Sequence, residues 1–136
     1  MIVELNKNHL DRFRRKARDT PNEILALLVG SVISTSRVKV YRFDYPKPTA
    51  QCSPLVYYAD QDSYEGVYES ASEDNLVVLG SIHSHPNCLP VLSSTDLKSS
   101  LDNEDIISGT VEVTKRRTRV VFWKHDSPLP CDVEYT

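Results

Sequence analysis

The chain has 136 residues, of which 40% are hydrophobic and 26% charged, and its net charge at pH 7 is -3. This composition is typical of one globular domain spanning residues 1–136, large enough to bury about two thirds of its unfolded surface. The acidic balance excludes a general attraction to nucleic acid or to an anionic membrane. No apolar run reaches the ~18 residues of a transmembrane helix, and no secretion signal is recognisable at the N-terminus.

The cysteine content indicates a reducing compartment. The chain has three cysteines, an odd number without paired spacing: Cys52, Cys88 and Cys131. Reduced thiols fit this pattern better than a disulfide framework does. We therefore expect a cytoplasmic protein.

The first predicted elements are a short strand and a basic helix. Ile2–Leu5 alternate between apolar and polar side chains, which predicts an edge strand, and Asn8 is placed to cap a helix that runs to about Arg18. The apolar side chains of this helix share one face: Leu10, Phe13 and Ala17. Its lysine and arginine side chains occupy the remaining helix surface. This basic surface either binds an acidic partner or is a solvated face on which Asp11 pairs with an arginine one turn later.

Two strands and an irregular segment follow. Pro21 ends the helix, and residues 24–33 are almost continuously apolar, which predicts a strand covered on both faces. Residues 38–43 predict a second strand that pairs with the first as a hairpin. The prolines between residues 45 and 54 exclude regular structure, so we expect a surface loop there.

A second helix leads into a buried strand that ends in histidines. Asp60 is placed to cap the helix, whose apolar stripe should pack on the sheet: Tyr64, Val67, Tyr68 and Ala71. Residues 76–82 then run as an apolar strand into a His-Ser-His sequence, and Pro86 ends the ladder. Because side chains two apart on a strand share a face, His83 and His85 project the same way and can converge on one metal ion.

A carboxylate is expected beside these imidazoles. Asp96 follows His85 by eleven residues, within a Ser93–Asp96 sequence that predicts the start of a short helix continuing to Leu101. Two imidazoles and one carboxylate leave a tetrahedral zinc ion one open position for water, which is typical of a catalytic site. Glu23, at the mouth of the first apolar strand, is the candidate proton acceptor.

The C-terminal third predicts two more strands and a loosely held end. Residues 106–113 and 119–123 alternate as strands around Lys115–Arg117, a basic turn that we interpret as a solvated tip because it lacks interleaved aromatic residues. Residues 127–130 end the regular structure. Val133–Tyr135 either add an edge strand or fray.

The spacing of the candidate site residues resembles the JAMM motif of JAB/MPN-type metalloproteases. That motif has an upstream Glu, then His-x-His, seven residues, and Ser-x-x-Asp. It is matched here by five residues: Glu23, His83, His85, Ser93 and Asp96. The resemblance implies an α+β fold of the JAB/MPN type, an αβα sandwich with a curved mixed sheet flanked by helices.

The resemblance also implies the role of each residue. His83, His85 and Asp96 would hold one Zn²⁺ ion with a catalytic water, Glu23 would act as general base, and the Ser93 hydroxyl would donate to the oxyanion. Cys88, three residues after His85, is either a fourth zinc ligand or redox-sensitive thiol, or a neutral loop residue.

The activity implied by the resemblance is that of a zinc-dependent peptidase or isopeptidase. It would cleave the bond after the C-terminal glycine of a ubiquitin-like protein. The strand starting at Ile106 follows Asp96 too closely for the long insertions of eukaryotic members, so the chain resembles short prokaryotic members that trim ubiquitin-like or sulfur-carrier proteins. The alternative is a non-catalytic MPN-type scaffold that binds a partner protein. A zinc deaminase is disfavoured, because its His-x-Glu and Cys-x-x-Cys pattern is absent.

Overall fold

The computed structural model describes residues 1–48, 59–86, 105–114, 118–127 and 129–136, except for the side chains of His85 and Pro86. Its elements, in chain order, are β1 (Ile2–Leu5), α1 (Lys7–Arg18), β2 (Leu25–Ser34), β3 (Arg37–Asp44), α2 (Gln61–Glu73), β4 (Val77–Pro86), β5 (Ile107–Val113), β6 (Thr118–Lys124) and β7 (Asp132–Tyr135). Within the described ranges, no helix is both long and apolar enough to span a membrane.

The strands form one mixed sheet in the order β6-β5-β4-β2-β3-β1-β7. Its central strands pair antiparallel, as β3 with β2 and β2 with β4, while β4 and β5 run parallel. The two ends of the sheet nearly meet, because the Cys131 amide donates to the Phe122 carbonyl at 2.7 Å and Trp123 bridges to Pro130. The predicted α+β class with a curved mixed sheet is therefore confirmed.

The main hydrophobic core lies between α1 and one face of the sheet. Leu10 and Phe13 of α1 are fully buried there against apolar side chains of the strands. Gly109 allows the central strands to pack closely on this face, because a Cβ at that position would lie 2.8 Å from the Phe122 ring and 2.9 Å from Ile82. This packing fixes β4 and β5 side by side.

The opposite face of the sheet carries α2. Strand alternation directs the buried Leu27 and Val29 to this face. The helix α2 contacts β2 and β4, as predicted, but of its predicted apolar stripe only Ala71 is buried and Tyr68 is 37% exposed. Arg42 of β3 ties the helix down by hydrogen bonds to Ser70 and Asp74. One helix thus lies on each face of the sheet.

Three local predictions are confirmed by the structure. Asp60 caps α2 by accepting from the Ser63 amide at 3.0 Å. Asp11 and Arg14 pair at 3.3 Å on the basic helix face. β7 forms the edge strand that the C-terminal pattern allowed.

Other local predictions are wrong. β1 is not an edge strand, because it lies between β3 and β7. The cap of α1 is Asn6 rather than Asn8, whose amide donates to the Asn6 side chain at 2.8 Å. The first apolar strand is covered only as far as Gly30, since Val32 and Ile33 are 51% and 52% exposed.

Candidate active site

His83 is the described side chain on which the candidate site depends. It lies near the end of β4, directly opposite Leu25 of β2 and beside Thr110 of β5. Its side chain is only 6% exposed. An imidazole held between two neighbouring strands in this way has few orientations available to it, which suits a ligand that must be pre-positioned.

Glu23 enters the site through the pairing of β2 with β4. The antiparallel register sets Leu25 opposite His83, so the half-buried Glu23, two residues before β2 begins, lies beside the end of the histidine strand. The same register, continued outward, sets the Glu23 position opposite the His85 position. The upstream carboxylate and the histidine strand are therefore brought together from residues 60 apart in sequence.

Ser84 joins β4 to Ile24, the residue before β2, by two hydrogen bonds. It was not predicted as a site residue. The Ile24 amide donates to Ser84 Oγ at 2.8 Å, and the Ser84 amide donates back to the Ile24 carbonyl at 3.0 Å. Ser84 is fully buried. These two bonds hold the chain beside Glu23 against the histidine strand, beyond the last paired residues of β2.

A second unpredicted feature is a set of buried polar side chains on β5. Ser108, Thr110 and Glu112 alternate along this strand and share the face of the sheet that carries His83. We call these three residues and His83 the β4–β5 polar face. Glu112 is 5% exposed, and its Oε2 lies 3.4 Å from a guanidinium nitrogen of Arg119 on β6.

The buried polar residues of the described chain are concentrated here. They are all on β4 and β5: His83, Ser84, Ser108, Thr110 and Glu112. Burial of polar groups costs free energy unless they form hydrogen bonds. A cluster of buried polar side chains is therefore a candidate functional site. The concentration marks this end of the sheet as the candidate site.

The other residues that the sequence predicts for the site lie outside the described residues. They are the side chain of His85, the residues Ser93 and Asp96, and Cys88; the short helix predicted from Ser94 lies there too. Among the side chains that are described, no group of three or more His, Cys, Asp or Glu residues converges on a metal position. The pairing of β2 with β4 sets the chain at Glu23 beside the histidine strand, and the ligand set of His83, His85 and Asp96 stays a prediction from the sequence.

The described residues are chemically suited to a zinc site. Neutral imidazole and carboxylate are the usual nitrogen and oxygen ligands of zinc. A ligating histidine also needs a hydrogen-bond acceptor for its second ring nitrogen. Among the described side chains, His83 supplies one imidazole, and the β4–β5 polar face places hydroxyl and carboxylate oxygens next to its strand.

The protein is a small α+β domain with a curved mixed sheet. In it, two hydrogen bonds hold the strand that carries His83 beside the chain at Glu23. A model of the family described as prokaryotic homologs of the JAB domain matches residues 6–125. The chain belongs to this family, as its resemblance to the JAMM pattern predicted.

Solved structures show the same fold. The solution structure of protein DSY2949 from Desulfitobacterium hafniense superposes with a TM-score of 0.72 at 21% identity, covering 98% of this chain and 92% of that one. The solution structure of a protein from Salinibacter ruber gives 0.69 at 20% identity, covering 98% and 91%. No curated protein matches the chain. At these identities the likeness establishes the fold alone.

Proposed function

We propose that this protein is a zinc-dependent peptidase or isopeptidase that cleaves the bond after the C-terminal glycine of a ubiquitin-like protein. We assign the whole of residues 1–136 to one such domain, acting in the cytoplasm. Membership of the JAB-domain family supports the class. The observation that carries the proposal is the junction of β2 and β4, where the Glu23 position is fastened beside a buried histidine strand.

The proposed metal ligands are His83, His85 and Asp96. When bound, zinc lowers the pKa of its water and polarises the carbonyl that is attacked. The protein's own contribution is to hold the imidazoles in place before the metal arrives, which the burial of His83 supports. Three protein ligands leave room for water and substrate, as catalysis requires.

Two further residues act on the reacting atoms in this proposal. Glu23 accepts a proton from the attacking water and later gives it to the leaving amine, so one carboxylate serves as base and then as acid. The Ser93 hydroxyl donates a hydrogen bond to the oxyanion of the tetrahedral intermediate. The hydrogen bond from the Ile24 amide to Ser84 keeps the chain at Glu23 close to the histidine strand. This lowers the entropy cost of positioning the carboxylate for proton transfer.

The proposed substrate is a flexible C-terminal tail rather than a folded surface. An extended tail can pair with exposed backbone near the site and present its final peptide bond. A ubiquitin-like conjugate and a sulfur-carrier precursor share this tail chemistry. A panel of such fusions therefore tests the proposal.

The decisive experiment is Glu23→Gln. The substitution keeps the size of the side chain and removes its basicity, so cleavage of the responsive fusion should fall about 10²- to 10⁴-fold. Zinc content and melting temperature should match those of the parent protein. Removal of zinc by a chelator should abolish cleavage by the parent protein, and added zinc should restore it.

Glu69→Gln is the matched control, because Glu69 is an exposed carboxylate on α2. It should cleave at the parental rate. Undiminished cleavage by Glu23→Gln would reject the assignment of the base. A parent protein that takes up no zinc and cleaves none of the fusions, yet binds one of them, would instead support the non-catalytic scaffold.

A further inference from the structure

We infer that this protein associates with itself head to tail: the basic outer surface of α1 in one copy docks on the acidic outer surface of α2 in the next copy. The inference does not depend on the proposed zinc site. It gives a function to the basic helix face, for which the sequence allowed either an acidic partner or a solvated surface.

The basic surface of α1 consists of cations that lie away from its buried face. Leu10 and Phe13 pack on the sheet, so the opposite side of the helix faces solvent. Four cations are exposed there: Arg12, Arg15, Lys16 and Arg18. Among the described residues, the ion pair on this helix joins Arg14 to Asp11 and leaves those four cations out. Their charge is therefore available to a partner.

Two of these cations are held in place before a partner arrives. The guanidinium carbon of Arg12 lies 5.4 Å from the centroid of the Tyr45 ring, and Lys16 Nζ lies 4.8 Å from it. Tyr45 is itself stacked on Phe13 of the core, at 6.4 Å between ring centroids. Restrained side chains lose less conformational freedom on binding, so more of the electrostatic attraction remains as affinity.

The outer surface of α2 has the opposite charge. Asp62, Glu65 and Glu73 are exposed carboxylates, and the helix contains no lysine or arginine. Glu73 lies in the last turn, where the helix dipole disfavours a negative charge. This carboxylate therefore does not stabilise its own helix, whereas it would attract the cations of a docked α1.

Gly66 gives this surface a position where another helix can approach closely. Asp62, Gly66 and Glu73 are spaced by four and seven residues, so they lie along one line of the helix. A Cβ at position 66 would meet no atom of the described residues within 4 Å. Glycine inside a helix costs stability relative to alanine, and the packing of the described chain gives no reason for it here. Close approach of a second helix does give one.

The placement of the two surfaces determines the kind of assembly. They lie on opposite faces of the sheet, so a contact between α1 and α2 of different copies is heterologous and leaves one surface of each copy free. Association should therefore proceed beyond a dimer as the concentration rises. The arginines of α1 and Tyr68 of α2, which is 37% exposed, are residue types enriched in protein interfaces.

The first test is the dependence of association on salt. Sedimentation velocity follows the parent protein at increasing concentration in about 0.01 M and about 1 M NaCl, where the Debye length is about 30 Å and about 3 Å. The sedimentation coefficient should rise with concentration in low salt and much less in high salt. A parent that stays monomeric in low salt overturns the inference. If such a monomer binds a poly-glutamate probe, the basic surface serves a different acidic partner.

Charge reversal then identifies the two surfaces. Arg12→Glu with Arg15→Glu reverses α1. Glu65→Lys with Glu73→Lys reverses α2. Each double variant alone should associate at least about 10-fold more weakly than the parent, because attraction becomes repulsion. A mixture of the two should associate again, since each reversed surface finds its opposite in the other variant. A mixture without this recovery overturns the pairing of α1 with α2.

Asp126→Lys with Asp132→Lys is the matched control for the reversal of α2. It makes the same change of charge at exposed carboxylates outside both helices, and it should associate as the parent does. Weakening as large as that caused by the reversal of α2 would attribute the effect to net charge and overturn the assignment of that surface.

Gly66→Ala separates the contact from the stability of the fold. The added methyl group should raise Tm, since alanine favours the helix, yet it should weaken association because it occupies the place of closest approach. This variant also decides the matter if a charge-reversed variant melts far below the parent. Parental association in Gly66→Ala would overturn the docking of α1 on this surface of α2.

Discussion

Asp105 lies two residues before β5, and burial raises the pKa of its carboxyl from an ordinary 3.8 to about 7. Burial also raises the pKa of the Tyr64 hydroxyl, with smaller contributions from its hydrogen bond to Tyr68 and from the charge of Asp105. Because burial raises the pKa of Asp105, the folded protein holds the Asp105 proton more tightly than the unfolded chain does. Between about pH 4 and pH 7 the native state binds more protons, so the free energy of unfolding falls as pH rises through this window.

Removal of this carboxyl should stabilise the protein in alkaline solution. At pH 8 the folded parent carries a poorly solvated charge that Asp105→Asn lacks, so the variant should be more stable by about 1–2 kcal/mol, after allowance for partial exposure of the group. At pH 4 the carboxyl is protonated in the folded protein, and the difference should largely vanish. Urea unfolding of both proteins at pH 4, 6 and 8 measures the free energies.

Asp126→Asn is the control for this experiment. Asp126 is an exposed turn residue near Lys124, so its substitution should change stability by less than about 0.5 kcal/mol at every pH. A gain in Asp105→Asn that is the same at pH 4 and pH 8 would contradict the assigned cause. It would point to packing rather than to desolvation of a charge.

At the scale of elements, the junction between β2 and β4 depends on one hydroxyl. Ser84→Ala leaves the Ile24 amide without its bond to Ser84 Oγ while the backbone pairing of Ser84 remains. Loss of one partner of a buried hydrogen bond costs about 1–3 kcal/mol. We expect urea unfolding to show a decrease of that size, and the Ile24 amide to exchange its hydrogen faster than in the parent.

Ser36→Ala provides the comparison for Ser84→Ala. Ser36 is an exposed turn serine between β2 and β3, and its substitution should change the free energy of unfolding by less than about 0.5 kcal/mol. Equal stability of Ser84→Ala and Ser36→Ala would mean that water replaces the lost hydroxyl. The junction would then not depend on Ser84.

The elements differ in how far the sequence could predict them. The hairpin of β2 and β3, the cap of α2 and the histidine-bearing strand follow from local patterns of apolar and capping residues. The cap of α1 was misplaced because two asparagines, Asn6 and Asn8, are both suitable within three residues. Local propensity alone does not choose between such equivalent signals.

The site was predictable in part for a related reason. The motif spacing predicted Glu23 and His83 as site residues, and the register of β2 with β4 sets the chain at Glu23 beside the histidine strand. Ser108, Thr110 and Glu112 alternate with apolar residues as they would on a solvated strand. Their burial depends on what packs over that face of the sheet, which is long-range information that a local pattern does not contain.

At the scale of the whole molecule, the arrangement of the sheet could not be read from its strands. Ile2–Leu5 have the length and alternation of an edge strand, yet β7 covers them from the other end of the chain. The Cys131 amide then ties the same C-terminal segment to β6. The last ten residues therefore join both ends of the sheet, although their sequence alone allowed fraying.

Deletion of residues 127–136 tests this closure. The deletion removes the hydrogen bonds from Cys131, Asp132 and Thr136 to Phe122, Met1 and Leu5, so stability should fall by at least about 3 kcal/mol. It also uncovers β1, whose free edge should promote self-association. Urea unfolding and sedimentation velocity measure the two effects.

Glu134→Gln is the control, because it keeps β7 and loses only an exposed ion pair with Arg37. It should have the association state of the parent and a free energy of unfolding within about 1 kcal/mol of the parental value. A truncated chain with parental stability and association state would show that the sheet does not need its C-terminal strand.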